Sequence, residues 1–456
     1  MDNKKFWKDV KPFFSDKGAC GQKINLVKDN DIISNDSEVA EVLNNFFKSA
    51  VKSLDIDIDR NLLNNYISND INNPIDMIIK RYASHPSILK INEFINLTES
   101  FDFKEVDLIG INQEIRKLNP KKSTTFKNIP TKLVKITNEI CSPIIHCLFN
   151  SSIRNCTFPD KLKMADISPI FKKVDSTSVT NYRPVSILPT ISKIYERLIQ
   201  NQLLEYIDKF LSPFMCGYRK GYSAQYALVA LLEKWKTTLD KQGYAGAILM
   251  DLSKAFDTID HDLLVAKLYA YGVDKSALKL IKSYLSNRWQ RTKVNTALSS
   301  WFELMQGVPQ GSVLGPLLFN IYINDLFWFN EQTEACNFAD DTTLYSCDID
   351  LRTLLQRLEH DTMIAIEWFG WNNMKLNEEK CHLLIAGHKY EHIWAKVGAA
   401  RIWESQKETL LGINIDNKLM FNHHISNLCK KAHCKLSALM RLCRLYGFQQ
   451  CRLLMK

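Results

Sequence analysis

The chain has 456 residues, a formal net charge of +9, and 46% apolar and 24% charged residues. This length exceeds one compact core, and the ordinary globular composition argues against a largely disordered chain, so we expect two to four domains or subdomains. The 12 cysteines follow no regular spacing, and no targeting peptide is visible, which predicts reduced thiols in an intracellular protein, cytoplasmic or nuclear. The longest uncharged run, 304–324, contains two prolines and two glutamines, so we predict no membrane span.

The amino-terminal region, residues 1–98, carries one clear helical pattern at 37–47. Its apolar residues recur at three-and-four spacing behind a candidate cap at Asp36 or Ser37. Residues 53–99 are less patterned, and we interpret them as a long loop or linker. The region is therefore expected to be an accessory helical segment.

From residue 103 onward, periodicity and capping signals predict alternating elements. The predicted helices lie at 104–118, 131–155, 191–210, 223–239, from the Asp260 cap to about 272, 276–286, 316–327 and 351–371, followed by a basic helical tail. The predicted strands lie at 165–173, 181–188, 245–251, 288–294 and 384–386.

Positive charge collects in several places along this order. The hairpin of 165–173 and 181–188 carries Lys172, Lys173 and Arg183, which suit a phosphate group, although surface salt bridges are the commoner role of such residues taken alone. Strand 288–294 alternates basic and other residues, as a strand with one cationic face does. Residues 418–456 include eight Lys or Arg and no Asp or Glu, which fits a polyanion or a solvated helix face.

Three carboxylates are candidates for a metal site. Residues 338–341, FADD, lie between two short segments rich in strand-forming residues, so both aspartates are expected in a hairpin turn. For this tetrapeptide taken alone, a plain turn is the commoner explanation. However, Asp251 ends a nearly all-apolar strand, where an ionised group is costly unless a cation compensates it.

Residues 306–312, QGVPQGS, form a loop in which two glycines allow the backbone to approach a flat ligand closely. Gln310 can donate to or accept from such a ligand. A structural Pro-Gly turn remains the alternative explanation.

Six motifs in order resemble the reverse transcriptases of non-LTR retrotransposons, LINE-type and jockey-like. They are 181–186 (NYRPVS), 217–221 (GYRKG), 251–257 (DLSKAFD), 307–312 (GVPQGS), 338–342 (FADDT) and 376–380 (LNEEK). The resemblance is firm over 103–412. It implies an α+β right-hand polymerase fold, with an accessory region at 1–98, fingers at 99–240, a palm with an antiparallel sheet at 241–390, and a primer grip with a truncated basic thumb at 391–456.

The resemblance also implies RNA-directed DNA polymerase activity, in which dNTPs are added to a primer 3′-hydroxyl by two-metal phosphoryl transfer. The implied cofactors are two Mg²⁺ ions, with Mn²⁺ as a substitute, and the implied partners are an RNA template and a DNA primer or target. The resemblance assigns Asp251 and Asp340 as metal ligands and Asp341 as a weaker one. Lys380 is the implied acid that protonates pyrophosphate.

Further roles follow from the same resemblance. Lys172 or Lys173, with Arg183, is expected to hold the triphosphate, while Phe256 lies under the sugar and excludes a 2′-hydroxyl. Gln310 and Gly311 pack against the nucleotide and template. The residues expected to bind nucleic acid are Arg219, Lys220, Arg291, Leu411, Gly412, Lys430 and Lys431.

Two departures leave an alternative open. Cys381 stands where the family usually has Ser or Thr after the lysine of the LNEEK motif, and the thumb and a preceding endonuclease are expected to be incomplete or missing. The alternative is therefore a truncated, polymerase-inactive remnant that only binds nucleic acid.

Viral RNA-dependent RNA polymerases fit less well, because they usually carry Gly before the paired aspartates. Group II intron maturases usually carry Tyr at the position of Phe338.

Overall fold

The computed structural model describes residues 24–28, 31–52, 73–125, 128–172, 175–387 and 393–446. Within these ranges, helices α1 to α13 span Asp36–Lys52, Pro74–Arg81, Pro86–Phe94, Leu108–Lys117, Thr131–Ile136, Asn138–Arg154, Thr190–Ile207, Ala224–Asp240, His261–Ala270, Lys275–Leu285, Gly315–Ile323, Leu351–Trp371 and Asn422–Tyr446. Strands β1 to β15 span Leu26–Lys28, Asp31–Ile33, Met164–Phe171, Tyr182–Ile187, Tyr244–Asp251, Arg288–Val294, Ala297–Leu298, Phe302–Leu304, Glu334–Phe338, Asp341–Asp348, His382–Ala386, Trp394–Val397, Ala400–Trp403, Lys407–Leu410 and Ile413–Asp416.

The central sheet has the strand order β11-β5-β10-β9, and its pairs are antiparallel. Alternate residues of β5 join two separate cores: Ile248 packs in one cluster, and Ala245 and Ala247 in the other. Helices α8 and α12 both pack against β5 and β10. Because β5 is buried on both faces, its sequence is a nearly continuous apolar run.

A second sheet has the order β4-β3-β6-β7, with β8 also paired to β6. Strands β3 and β6 are parallel, whereas β3 and β4 form an antiparallel hairpin. Helix α1 packs on β6. The expected cationic face of β6 does not include Arg288, which is buried and donates to the Tyr284 carbonyl; Arg291 and Lys293 share the opposite, half-exposed face.

The largest core lies between the central sheet and helices α9 to α12. It contains a fully buried ion pair, in which the Nζ of Lys267 donates to Asp325 at 2.6 Å and to the Tyr322 carbonyl at 2.7 Å. The indole of Trp368 donates to the other Asp325 oxygen at 2.7 Å. Every charged atom of this pair therefore has a partner, which is the condition for burying charge.

Residues 53–99 were expected to contain a long loop or linker; 53–72 lie outside the described residues, and for 73–99 the expectation is wrong. The latter segment contains α2 and α3, which pack on α9. Each helix begins with a capping side chain, Asn73 or His85, followed by Pro in the first turn, and this combination is a helix-start signal. Their short length leaves little periodicity for a sequence pattern to reveal.

Other boundaries follow the sequence with small shifts. Helix α12 begins and ends as predicted, and Asp260 caps α9 with two hydrogen bonds. The cap of α1 is Asn35 rather than Asp36 or Ser37, since its side chain accepts from the backbone nitrogens of Ser37 and Glu38.

The mixture of helices and antiparallel sheet confirms the expected α+β class. Among the helices of the described ranges, none has the length and apolar character needed to cross a membrane.

Candidate active site

The paired aspartates lie on the hairpin of β9 and β10. Phe338 pairs with Asp341, so the turn consists of Ala339 and Asp340 alone. Ala339 adopts φ +62°, a left-handed conformation that is strained for a residue with a Cβ atom. Asp340 is therefore in the turn as expected, whereas Asp341 is the first residue of β10, which corrects the placement of both in the turn.

The turn is held from beneath by buried groups. The side chain of Asn337 donates to the Ala339 carbonyl at 3.0 Å and to the Thr342 hydroxyl at 2.9 Å. Gly217 lies against the turn so closely that a Cβ there would be 2.3 Å from the Ala339 nitrogen. Asn320 in turn donates to the Gly217 carbonyl at 2.9 Å. The GYRKG motif thus supports the aspartate hairpin through its backbone.

The third carboxylate lies beside the first two. Asp251 is the cross-strand partner of Asp341, so the two side chains share one face at the end of β5 and β10. Burial raises the pKa of Asp341, the charges of Asp340 and Asp251 raise it further, and Arg183 opposes them. The three predicted acids are therefore brought together. Within the described ranges, no group of three or more His, Cys, Asp or Glu residues has the geometry to hold a metal ion, so the ligand assignment stays a prediction.

Lys380 contacts this acid cluster directly. Its Nζ donates to Oδ2 of Asp251 at 3.1 Å. The short turn Glu378–Lys380 is fixed to β5, because the backbone nitrogen of Asn377 donates to the Asp251 carbonyl at 2.9 Å. The buried Cys381 thiol donates a hydrogen bond to the Asn377 carbonyl at 3.4 Å. The thiol is a weak donor, and it takes the place of the Ser or Thr hydroxyl that is usual at this position.

Two of the expected phosphate-binding cations, Lys172 and Arg183, lie close enough to the same cluster to interact with its charges. Burial lowers the pKa of Lys172, the nearby positive charges of Arg183 and Lys380 lower it further, and Asp251 and Asp340 oppose them. Arg183 is exposed on β4. The hairpin of β3 and β4 therefore presents positive charge towards the carboxylates, as a triphosphate site requires. The third candidate, Lys173, lies outside the described residues.

The ring of Phe256 is fixed between two other rings. It stacks on Phe319 with centroids 4.6 Å apart and meets Tyr218 edge-on at 6.1 Å. The backbone nitrogen of Val308 donates to the Phe256 carbonyl at 2.9 Å. The 251–257 motif and the 307–312 loop therefore form one unit beside the acids.

Gln310 and Gly311 lie at the end of that loop. The Gln310 carbonyl accepts from the Ser186 nitrogen at 2.7 Å, which joins the loop to β4. Gly311 has φ +104°, and a Cβ there would be 2.9 Å from the Ser186 carbonyl oxygen, so this position requires glycine.

The expected nucleic-acid contacts fall into two groups. Arg219 is 7% exposed and binds Asp208 and the Ser212 carbonyl, and Arg291 binds Asp166 at 2.8 Å, so both guanidinium groups have partners inside the protein. These contacts favour a structural role for the two arginines. The remaining candidates are more accessible. Lys220 is exposed on its loop, and Lys430 and Lys431 are exposed on α13. Leu411 and Gly412 form the two-residue turn between β14 and β15, with φ +51° and +84°.

Three residues of the GYRKG and DLSKAFD motifs, Tyr218, Lys254 and Asp257, make contacts that the sequence did not predict. Tyr218 is 52% exposed, and the charges of Asp340 and Arg183 act on its hydroxyl. Lys254 lies over the Phe46 ring at 5.6 Å, and Asp257 binds Gln310. Their positions inside matched motifs were the available signal, but sequence spacing does not say which atoms meet.

A carboxylate hairpin beside a strand-end carboxylate, with cations opposite, is typical of nucleotidyl-transferring polymerases. The profile of the family described as "Reverse transcriptase (RNA-dependent DNA polymerase)" matches residues 170–415. The chain belongs to this family, whose domain implies a fold of the right-hand polymerase type.

Similar proteins confirm the resemblance to non-LTR retrotransposon enzymes. The RNA-directed DNA polymerase from mobile element jockey of Drosophila melanogaster is 28% identical over 360 residues, which cover 76% of this chain and 39% of the relative. The probable RNA-directed DNA polymerase from transposon BS of the same species is 29% identical over 364 residues, which cover 75% and 39%. The corresponding X-element protein is 27% identical over 309 residues, which cover 64% and 33%. The chain thus spans well under half the length of these relatives.

Proposed function

We propose that this chain is an RNA-directed DNA polymerase that adds dNTPs to a primer 3′-hydroxyl on an RNA template. The observation that carries the proposal is the meeting of three carboxylates at one sheet edge, with Asp251 and Asp341 as cross-strand partners and Asp340 in the adjoining turn. Family membership supports the same chemistry.

The carboxylate oxygens fit divalent cations by their chemistry, since hard cations prefer such ligands. Asp251 and Asp340 would hold the ions, with Asp341 as a weaker ligand. When bound, two Mg²⁺ ions, or Mn²⁺ in their place, would lower the pKa of the primer hydroxyl and neutralise negative charge on the pyrophosphate leaving group. The mutual repulsion that raises the pKa of Asp341 is relieved by any cation at this edge.

The protein's own cations and rings position the nucleotide. Lys172 and Arg183 bind the triphosphate oxygens from the β3-β4 hairpin, because their charges already face the acid cluster. Phe256 lies under the sugar and leaves no space for a 2′-hydroxyl, and its packing against Phe319 keeps the ring from moving aside. This arrangement favours deoxynucleotides.

Lys380 protonates the departing pyrophosphate. In the free protein its Nζ is paired with Asp251 at 3.1 Å, so it is already within reach of the reacting groups. The proposal extends to fingers at 99–240, a palm at 241–390 and a primer grip at the Leu411-Gly412 turn. It also includes an RNA template, a DNA primer or target, and action in the cytoplasm or nucleus.

Primer extension tests the proposal directly. Purified protein is given an RNA template, a DNA primer, dNTPs and Mg²⁺ or Mn²⁺, and Asp340→Ala is compared with wild type. We expect extension by wild type and a loss of at least about 100-fold in the variant, because removing a direct ligand should cost more than the roughly 10–100-fold that follows from changing an outer-shell partner. Glu205→Ala, which removes an exposed carboxylate on α7, is the matched control and should extend normally.

Two results would overturn this function. The first is equal extension by Asp340→Ala and wild type. The second is salt-dependent RNA binding by wild type with no extension under any of these conditions, which is the behaviour of a polymerase-inactive remnant.

A further inference from the structure

We propose that Asp257 is a positioning residue that fixes the side-chain amide of Gln310, so that its carbonyl oxygen Oε1 accepts a hydrogen bond from the incoming nucleotide. This inference rests on the proposed function and deepens it. It concerns a residue that lies six positions beyond Asp251 and takes no part in the acid cluster itself.

The contact between the two side chains is close. Nε2 of Gln310 donates to both carboxylate oxygens of Asp257, at 2.9 Å each. A carboxylate only accepts, so it selects the NH₂ end of the amide and turns Oε1 away from itself. Without such a partner, the two ends of a Gln side chain exchange places by rotation about one bond.

The backbones on both sides of this contact are fixed. The Gly307 nitrogen donates to the Ile259 carbonyl at 2.8 Å, and Nε2 of His261 donates to the Gly307 carbonyl at 2.7 Å. Gly307 lies so close that a Cβ there would be 2.7 Å from the Asp257 carbonyl oxygen. The backbone around this contact is therefore held in place, and the side-chain amide of Gln310 is the group that can still rotate.

The charge on Asp257 decides that orientation. Burial raises the pKa of Asp257 to about 6, while the Gln310 hydrogen bond and the positive charges of Lys254 and Arg183 act in the opposite direction. At pH 7.5 the carboxylate accepts from Nε2. At pH 5.5 the acid is largely protonated and both donates and accepts, so it no longer selects the NH₂ end of the amide.

Two effects of protonation have opposite signs, so the experiment separates them. Neutralising Asp257 removes a negative charge from the neighbourhood of Arg183 and Lys254, which by itself strengthens triphosphate binding and lowers KM. Releasing the amide from its fixed orientation weakens its hydrogen bond to the nucleotide and raises KM. A positioning role therefore predicts weaker nucleotide binding at low pH, and a purely electrostatic role predicts the reverse.

The kinetic test measures KM and kcat for dNTP at pH 5.5 and 7.5 for wild type, Asp257→Asn and Asp257→Leu. We expect the ratio of KM at pH 5.5 to KM at pH 7.5 to be about fivefold higher for wild type than for the Asn variant, the factor that one lost hydrogen bond gives. The Asn variant both donates and accepts, as the protonated acid does, but cannot titrate, so its KM should be raised at both pH values and its ratio should be flat. Asp257→Leu should have a raised KM at both pH values with kcat little changed.

A second measurement does not depend on activity. The side-chain amide NMR signal of Gln310, assigned by its disappearance in Gln310→Glu, should shift with a midpoint near pH 6 in wild type and stay constant in Asp257→Asn. A pH-independent signal in wild type overturns the inference. An unchanged or lower wild-type KM at pH 5.5, or a loss confined to kcat in Asp257→Leu, also overturns it. Absence of extension by wild type refutes the proposed polymerase function. The NMR titration does not depend on that function and still decides whether Asp257 controls the orientation of the Gln310 side-chain amide.

Discussion

Replacing Gly217 by alanine should damage the active site through one added methyl group. The Cβ of that alanine would lie 2.3 Å from the Ala339 nitrogen and 3.1 Å from the Phe338 carbonyl carbon, both backbone atoms of the aspartate turn. Real Cβ contacts essentially never fall below 3.0 Å, so the turn must move by at least about 0.7 Å. Asp340 is in that turn and moves with it.

The expected effect on catalysis is large compared with the size of the change. A displacement of about 1 Å at reacting groups lowers rates by about 100-fold, equivalent to about 2.7 kcal/mol of activation free energy. We therefore expect Gly217→Ala to reduce kcat/KM for primer extension by about 100-fold. Single-turnover extension at saturating dNTP should show that the loss lies mainly in the chemical step.

The matched control is Gly221→Ala in the same loop. Gly221 has φ +87° with nothing within 4 Å of a Cβ, so its substitution adds backbone strain of about 1 kcal/mol but no collision with the turn. It should lower the thermal midpoint slightly and leave kcat within about threefold, since the turn is not displaced. A wild-type kcat in a folded Gly217→Ala protein would refute this prediction. It would mean that the aspartate turn does not move, or that its movement does not affect the chemical step.

Three further predictions concern other parts of the molecule. Phe256→Ala should relax the rejection of ribonucleotides by about tenfold or more in competition assays with dNTPs, and unchanged sugar selectivity would remove Phe256 from its assigned role. Lys267→Met should lower the free energy of unfolding in urea by about 3–5 kcal/mol, because it leaves the buried Asp325 carboxylate unpaired, and the double variant with Asp325→Leu should recover part of this loss. A loss below about 1 kcal/mol would contradict this account of the ion pair. Replacing Lys430 and Lys431 together by Gln should reduce the slope of log affinity against log salt for RNA by about 1.4 to 1.8, and an unchanged slope would place the nucleic acid elsewhere.

Much of the local structure was predictable because its causes are local. The apolar run that ends at Asp251, the Asp260 cap and the 351–371 helix are encoded by residues adjacent in sequence, and the structure confirms each of them. The α2 and α3 helices were missed, since eight or nine residues offer too few turns for a periodic pattern. The cap of α1 was misplaced by one residue for a similar reason, because adjacent polar residues are equally good caps on paper.

The roles of charged side chains were less predictable, because charge in a sequence does not show what lies opposite it. Arg219 and Arg291 were expected to face nucleic acid, yet each binds an aspartate of the protein. Arg288 was assigned to a cationic face and is instead buried against Tyr284. Burial of an arginine is decided by which carbonyls and carboxylates the fold brings to it.

By itself, the sequence determined the order of the main helices and strands between residues 103 and 386, the motifs that identify the family, and the three acids proposed to bind metal. Only the tertiary structure decided that Asp341 lies opposite Asp251, that Gly217 supports the aspartate turn, and that Asp257 binds an amide 53 residues away. The physical reason is the range of the forces involved. Backbone propensity and capping act within a few residues, whereas strand register and side-chain packing depend on which distant segments share one core.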